Sequence, residues 1–345
     1  MAVGTVLLCY AIARVPREVH PLYLTFNSML DHLLHGRFDV DPAIVGREGF
    51  AVGGRTVAYW GILPALLRLP FTLFPGWRTL DFTTGSCMVA LGGMLATKLW
   101  TLRRIRRARP GLPVWLGKAM AVVLVLAGAQ TCFLRFSLYQ EVCLWAALWA
   151  ALFVAAAVHA RLLGLGRGAL LVMALAAGLA MLTRVSVGIG LVETIRNRRD
   201  LRGWIGTAAL PMLLIALLGA VTALVNFGRW GNPLTFADYH HYLYNAWYPD
   251  RLVRMAEQGL FNLHRVPFGL VYYFAPVWVL HGADGQLLLE ATRHKWIDAA
   301  ELPPSSFLLT DPLLLLLGAW AVRALQARPA RAAPPSRWGS LSRRR

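Results

Sequence analysis

The stretch VCLWAALWAALFVAAAVHA, residues Val142–Ala160, decides the class of fold. It contains no lysine, arginine, aspartate or glutamate, and as a helix it spans about 30 Å, the thickness of the hydrocarbon layer of a membrane. Within that layer a helix pairs its own backbone N–H and C=O groups. The whole chain of 345 residues is 57% hydrophobic, whereas soluble domains are roughly 45–50% apolar. The sequence therefore predicts a helical membrane protein.

Further apolar segments resemble this one in length and composition. They are Phe82–Trp100, Val114–Leu134, Ala169–Leu182, Thr207–Val225 and Phe307–Val322. A shorter segment, Val185–Val192, is expected to return across the membrane beside its neighbour. The apolar start, Met1–Ala13, is short for a span, so we expect either a strongly tilted first helix or a chain that begins upstream. Together these segments predict an all-α, multi-span transmembrane helical bundle with seven or eight spans.

The arginines set the expected orientation, because cytoplasmic loops of membrane proteins are rich in arginine and lysine. One alternating topology places every arginine cluster between the spans in the cytoplasm. The same topology leaves only Glu193 and Asp200 inside and the other acidic residues outside. We therefore expect a multi-pass protein of the plasma (inner) membrane, embedded in the lipid bilayer, with a carboxylate-bearing outer face. The net charge of +18 follows from this topology, so no nucleic acid is expected as a partner.

The domain organisation follows from the same pattern. We expect a single membrane domain over residues 1–322 and a basic, disordered cytoplasmic tail over residues 323–345. Two long connections, residues 14–80 and 226–306, face the outside in this topology, and long structured connections commonly carry function. We call them the first and second long segments. Each is expected to carry interfacial helices, one of them over Leu22–Leu33 with its end at Gly36. Residues Ile62–Phe74, interrupted by proline, are expected to be interfacial or re-entrant.

Three aspartates of the first long segment are candidate catalytic residues. Asp31 is expected on the polar side of the helix, and Asp39 and Asp41 follow it in a loop. Alternate residues of a loop can turn carboxylates toward one ligand, so the D-V-D sequence could hold a divalent cation or an acceptor hydroxyl. The alternative interpretation is that these acids are solvated loop residues and helix caps.

A short connection between two spans, RFSLYQE, carries Arg135, Tyr139 and Glu141. Arg184 follows the expected span Ala169–Leu182, whose carboxyl end reaches the same side of the membrane. Arginines at the edge of a membrane bundle are costly unless they are paired or bind an anion. Arg135, Arg184 and Tyr139 are therefore a candidate phosphate site, which would use charge-assisted hydrogen bonds. The alternative is a structural ion pair, for instance Arg184 with Glu141.

The second long segment contains a run of aromatic residues and histidines that includes His240, His241 and Tyr242. Adjacent histidines on a helix diverge by about 100°, so this pair is not expected to bind a metal. An aromatic surface that stacks on sugar rings, or lies at the level of the lipid headgroups, is the favoured interpretation. The four cysteines are single residues in apolar segments with no zinc or redox spacing.

The order of several motifs resembles the polyprenyl-phosphate-sugar-dependent glycosyltransferases of the GT-C superfamily in bacteria. The motifs lie within Pro21–Pro276. They are Y-L-x(6)-D-H-L-L-H-G-R-F-D-V from Tyr23, Y-W-G-I-L-P-A-L-L-R-L-P from Tyr59, L-Y-Q-E from Leu138, L-T-R-V from Leu182 and N-L-H-R-V-P-F-G-L-V-Y-Y-F-A-P from Asn262.

This resemblance implies a glycosyltransferase that moves a sugar from a polyprenyl-phosphate donor to a glycan, lipid or protein acceptor at the outer face of the membrane. The base would be Glu18, Asp31, Asp39 or Asp41, and Arg135 and Arg184 would hold the donor phosphate. Members of the family usually carry an acidic residue or an Asp-Glu pair just after the first span, where this chain has only Glu18 after Arg17. The resemblance assigns no particular cofactor, and a divalent cation is compatible with the acids.

Two other functions fit the same residues. A transporter or flippase of lipid-linked sugars would bind the phosphate through the same arginines and move its ligand unaltered. A non-catalytic membrane assembly partner would share the fold without the reaction.

Overall fold

The computed structural model describes residues 19–126, 136–164, 166–189, 201–247 and 249–258, with seven single positions at 263, 266, 267, 270, 316, 319 and 323. The chain divides into two units, residues 1–262 and 263–345, and the elements below belong to the first. The structure is mostly helical. Its helices and strands are α1 (Thr25–Leu34), α2 (Pro42–Val45), β1 (Phe50–Val52), β2 (Arg55–Val57), α3 (Leu63–Leu66), α4 (Thr83–Ala108), α5 (Val114–Leu126), α6 (Leu138–Leu163), α7 (Arg167–Thr183), α8 (Leu201–Trp230) and α9 (Asp250–Gln258).

The long helices coincide with the apolar segments of the sequence. Helix α4 begins one residue after the expected start of its span and continues eight residues past the expected end, through the arginine-rich LRRIRRA sequence. Helices α6 and α8 are each longer than the expected span at both ends. Residues 185–189 are helical, as the sequence predicts. The expected spans Met1–Ala13 and Phe307–Val322 lie outside the continuously described residues.

Two of these helices are long and apolar enough to cross a membrane. They are α6, Leu138–Leu163, and the part of α8 from Ala209 to Trp230. Helix α7 is apolar but shorter, and the described part of α5 is shorter still.

The helices pack in a regular order, with α4 against α5 and α6, α6 against α7, and α7 against α8. Small residues at the contacts allow the backbones to approach closely, among them Ala174, Ala177 and Gly178 on α7. A Cβ atom on Gly178 would overlap the Leu218 side chain of α8. Small residues serve the same purpose in helix pairs within membranes.

The first long segment forms a layer over the ends of α6, α7 and α8. Helix α1 forms near the expected range and ends at Leu34, two residues before Gly36, whose φ of +71° favours glycine. Three of its apolar side chains, Phe26, Met29 and Leu30, are buried in a protein core. That core includes Leu138 of α6, Leu182 of α7 and Val225 of α8. The apolar face of α1 therefore packs on the helix ends.

A β-hairpin is absent from the expected all-α fold but present in the structure. Strands β1 and β2 pair antiparallel, with Phe50 opposite Val57. The turn is Gly53–Gly54, and both glycines have positive φ, as the tight hairpin turns require. The sequence FAVGGRTV carried this signal, with a Gly-Gly pair between short runs of β-forming residues. An isolated bridge joins Phe50 to Tyr242, so the hairpin connects the two long segments.

The expected interfacial stretch Ile62–Phe74 is α3 followed by a 3₁₀ helix, Leu69–Leu73. Between them lies Arg68, which is only 2% exposed and pairs with the fully buried Glu141 of α6 at 3.0 Å. Arg68 also donates to Thr83 Oγ1 at the start of α4. The suggested pairing of Glu141 with Arg184 is therefore wrong, because Arg68 occupies the carboxylate.

Candidate functional site

A cavity of about 460 Å³ lies where the first long segment meets α6, α7 and α8. Most of its wall is apolar, with Ile62, Val142, Leu182 and Val225 among the lining residues. Gly61 allows the loop after β2 to touch the end of α7. A Cβ atom there would overlap the backbone carbonyls of Leu182 and Thr183.

Arg184 stands at the carboxyl end of α7 and lines this cavity. Its backbone N–H closes the last turn on Ala180, which fixes the residue at the helix end. Its guanidinium donates from Nη1 to the sulfur of Cys143 at 2.9 Å. Among the described residues, no carboxylate pairs with it.

Arg229 lines the same cavity from the last turn of α8. It is only 4% exposed. Nη1 donates to the carbonyl of Trp60 at 2.7 Å, and Nη2 approaches the sulfur of Met29 at 3.3 Å. Its Nε has no hydrogen-bond partner, and none of the described carboxylates pairs with it. A buried guanidinium without a counter-ion is costly, so this arrangement favours an anionic ligand in the cavity.

Neutral polar groups complete the lining. Tyr59, Tyr139 and Asn226 all face the cavity. Burial raises the pKa of Tyr59 well above its ordinary value, with smaller contributions in the same direction from Tyr239 and Glu48. Tyr59 therefore keeps its proton at neutral pH and can donate a hydrogen bond to an anion.

Glu48 does not line the cavity, but its carboxylate lies beside Tyr139, which does. The Tyr242 hydroxyl donates to its Oε2 at 2.7 Å, and the Tyr139 hydroxyl lies near the same carboxylate. The short 3₁₀ turn that carries Glu48, Gly46–Glu48, is tied to the second long segment. Leu243 N–H donates to the Gly49 carbonyl at 3.0 Å, and the Arg47 guanidinium lies 3.6 Å from the Trp247 ring centroid. The two long segments therefore hold Glu48 beside Tyr139.

The three aspartates of the first long segment lie elsewhere, and none of them lines the cavity. Asp31 pairs with Arg78 at 2.9 Å. Asp39 accepts from His32 at 2.9 Å. Asp41 caps α2 by accepting from the Ala43 N–H at 2.8 Å. Each aspartate thus has a structural partner, and Asp41 is a helix cap, as the alternative interpretation predicts for it. The described geometry does not bring them together with Arg184.

The residues expected to bind sugar have two different sets of partners. His240 and His241 both approach Asp238, at 2.8 and 3.8 Å, and both are exposed. Burial raises the pKa of Asp238. The hydrogen bonds from His240 and the charges of His240 and His241 outweigh this effect and hold that pKa below its ordinary value. Tyr242 instead stacks on Phe50 at 4.8 Å between ring centroids and reaches Glu48. Of this set, Tyr242 alone is connected to Tyr139, through the shared carboxylate.

Some expectations fall outside the described residues, namely Glu18 and Arg135. Within the described residues, no group of three or more histidine, cysteine, aspartate or glutamate side chains is arranged to hold a metal ion.

No family model, curated protein or solved structure matches this chain. The resemblance to GT-C glycosyltransferases therefore stays a prediction.

Two residues of the candidate site are not predicted from the sequence: Arg229, which lines the cavity, and Glu48, which lies beside the lining residue Tyr139. The signal for Arg229 was present, since the NFGRW sequence puts an arginine at the end of an expected span, where it is costly without a partner. No comparable local signal marks Glu48. Its place depends on Tyr139, which is 91 residues away along the printed sequence, and on Tyr242 of the second long segment.

Proposed function

We propose that this chain is a multi-span membrane glycosyltransferase. In this proposal the cavity between Arg184 and Arg229 binds the phosphate of a polyprenyl-phosphate sugar at the outer face of the plasma membrane. The observation that carries it is the buried Arg229, which faces an apolar cavity and has no carboxylate partner among the described residues. The resemblance of the sequence to GT-C enzymes supports the choice of reaction.

The exposed surface of the helices supports the membrane setting. Only 22% of the apolar window of α8 is buried inside the protein. Leu210, Leu213, Leu217 and Leu224 are each about 60% exposed on this helix. A soluble protein rarely leaves such a continuous apolar surface in water. Lipid chains cover it at no such cost. The proposed seven or eight spans and the cytoplasmic arginine loops follow the orientation rule for basic residues.

The chemistry of the cavity supports a lipid-linked phosphate as the ligand. Two guanidinium groups can make charge-assisted hydrogen bonds to phosphate oxygens. The neutral Tyr59 hydroxyl adds a donor, and the apolar wall suits the first isoprene units of the lipid. A pocket with an apolar wall and a few convergent polar groups is typical of ligand sites.

Glu48 is the proposed base. It would accept the proton of the acceptor hydroxyl as the acceptor oxygen bonds to the anomeric carbon of the sugar. The bond from that carbon to the phosphate oxygen breaks, and its electron pair stays on the phosphate. Arg184 and Arg229 would stabilise the charge that develops on this leaving group. Tyr139 and Tyr242 would orient the carboxylate through their hydroxyl groups.

The test separates binding from transfer. We expect Glu48→Gln to abolish sugar transfer and leave binding of the lipid-linked donor nearly unchanged, because the base acts in the transition state. Arg229→Gln and Arg184→Gln should weaken donor binding about tenfold or more, because each removes a charge-assisted contact worth about 1.5–3 kcal/mol. Arg55→Gln, which changes an exposed arginine on β2, is the matched control and should bind normally.

Four outcomes would overturn parts of the proposal. Full transfer by Glu48→Gln, with loss in Asp31→Asn, Asp39→Asn or Asp41→Asn, would return the base to the aspartates. Equal donor binding by wild type and Arg229→Gln would remove the phosphate site. Movement of labelled lipid-linked sugar across the bilayer without transfer would favour the flippase. Donor binding with neither reaction would favour an assembly partner.

A further inference from the structure

A second cavity, of about 580 Å³, lies between α4, α6 and α7. It shares no lining residue with the first cavity, which Arg184 and Arg229 line and which we call the arginine-lined cavity. Its wall is built mainly from small residues, including Ala96, Ala155, Ala156 and Gly168. Because these side chains are short, the three helices leave an apolar groove along their shared face. We call it the second groove.

One end of the second groove carries aromatic rings. Trp100 of α4 and His159 of α6 face each other nearly in parallel, with their ring centroids 6.4 Å apart. Both rings line the groove. Trp100 and His159 lie in the carboxyl-terminal parts of their helices. Helix α7 begins at the same end of the groove, with Arg167 and Gly168.

The same end is strongly basic. The Arg104 guanidinium lies over the Trp100 ring, 5.1 Å from the ring centroid. Its Nε is buried and has no hydrogen-bond partner. Arg161 lies in the last turn of α6, and Arg167 is the first residue of α7. Between Ala96 and Val172 the sequence has one acidic residue, Glu141. It lies in the first turn of α6, at the opposite end, and pairs with Arg68.

An apolar groove with a cationic end is complementary to an amphiphile that has a negatively charged head. We propose that the second groove binds an anionic phospholipid, with an acyl chain along the small residues and the phosphate near Arg104. Arg161 and Arg167 add positive charge at the same end. In the proposed topology this end faces the cytoplasm, so the ligand would belong to the inner leaflet. The inference rests on the membrane setting and not on sugar transfer.

The experiment uses the full chain in detergent, titrated with phosphatidylglycerol or with phosphatidylcholine. Bound lipid is counted by native mass spectrometry, and the unfolding temperature is followed in parallel. We expect phosphatidylglycerol to bind and to raise the unfolding temperature, since a ligand of the folded state stabilises it. Phosphatidylcholine at the same concentration should do so at least tenfold more weakly.

Two variants test the two halves of the site. Arg104→Gln should weaken phosphatidylglycerol binding by about tenfold or more, because a charge-assisted contact to phosphate is lost. Arg103→Gln removes the same charge from the neighbouring position, which points about 100° away on the helix, and should bind normally. Val172→Phe fills the groove from a half-exposed position. This variant should weaken phosphatidylglycerol binding although Arg103 and Arg104 are unchanged.

Several results would overturn the inference. Equal weakening by Arg103→Gln and Arg104→Gln would indicate diffuse attraction to the basic loop. Equal binding of the two lipids would remove the role of the charge. Unchanged phosphatidylglycerol binding by Val172→Phe would place the lipid elsewhere, and a changed oligomeric state in that variant would assign the groove to a second copy of the chain. Sugar transfer by Arg104→Gln is measured separately. This measurement distinguishes failure of the phospholipid proposal from failure of the glycosyltransferase proposal.

Discussion

Two arginines of this protein are almost equally buried but lie in opposite surroundings. Arg68 is 2% exposed and forms an ion pair with Glu141, which is itself fully buried. Arg229 is 4% exposed, and among the described residues its contacts are a carbonyl oxygen and a sulfur atom. Arg68 has no part in lining the arginine-lined cavity, whereas Arg229 faces it.

The difference separates a structural charge from a charge that is available to a ligand. Burial removes both guanidinium groups from water, which costs several kcal/mol for each ion. At Arg68 the Glu141 carboxylate offsets that cost within the fold, and the pair joins the first long segment to α6. At Arg229 the offset is incomplete, so a phosphate in the cavity would supply the missing negative charge. Four predictions test this difference and the packing around the two arginines.

The largest effect is expected at the buried pair. Glu141→Gln should lower the free energy of unfolding by about 3–5 kcal/mol, because it leaves the buried Arg68 without its counter-ion. Denaturant or thermal unfolding in detergent measures this loss. The double variant Arg68→Met with Glu141→Leu should recover most of the stability. A loss below about 1 kcal/mol in Glu141→Gln would mean that the pair does not hold the layer in place.

Arg229→Met should behave differently from a change at Arg68. It removes a costly buried charge and also a hydrogen bond to the Trp60 carbonyl, so these effects largely cancel. We expect the free energy of unfolding without ligand to stay within about 1 kcal/mol of wild type. The lipid-linked donor should raise the unfolding temperature of wild type but hardly that of the variant. A large loss of stability without ligand would make Arg229 a structural residue like Arg68.

Gly61 tests whether the cavity wall is tightly packed. Gly61→Ala should cost about 1–3 kcal/mol of stability, because the added methyl group meets the backbone carbonyls of Leu182 and Thr183. Gly85→Ala is the matched control, since a Cβ atom on this exposed glycine of α4 meets no other atom. Alanine favours a helix over glycine, so the control should be neutral or slightly stabilising. Unfolding of the two variants side by side decides the point.

The smallest effect concerns a less buried ion pair. Burial raises the pKa of Asp39, but the hydrogen bond and charge of His32 and the charge of Arg37 outweigh this and hold the pKa below its ordinary value. The stabilising contribution is therefore present above the ordinary aspartate pKa of about 3.9 and is lost as the pH falls through the lower folded value. Asp39→Asn should cost on the order of 1 kcal/mol or less near pH 5.

The acid side of the same titration provides the check. The difference between wild type and Asp39→Asn should vanish when unfolding is measured near pH 2, where the carboxylate is protonated. A difference that stays constant across this range would show that packing, rather than charge, accounts for the effect of the substitution.

The arginine-lined cavity shows how much of the candidate site can be predicted from the sequence. The sequence predicts Arg184 and Tyr139 from their places at the ends of apolar segments, and both line the cavity. Arg229 lies four residues beyond the expected end of its span at Val225, and it is not predicted. Asp31, Asp39 and Asp41 are predicted because they are acidic and close together in sequence. Each has a nearby partner in the fold, which spacing alone does not reveal.

The sequence alone predicts the long apolar helices, the glycine at position 36 just after α1 and the concentration of arginines in particular connections. These features depend on residues that are neighbours along the chain, through hydrophobic periodicity, backbone preference and local charge. Only the folded structure shows that Glu141 pairs with Arg68, that Glu48 lies near Tyr139 and Tyr242, and that Arg229 has no carboxylate partner among the described residues. Each of those outcomes depends on which distant segments pack together, and a side chain's partner is set by that packing rather than by its own sequence neighbourhood.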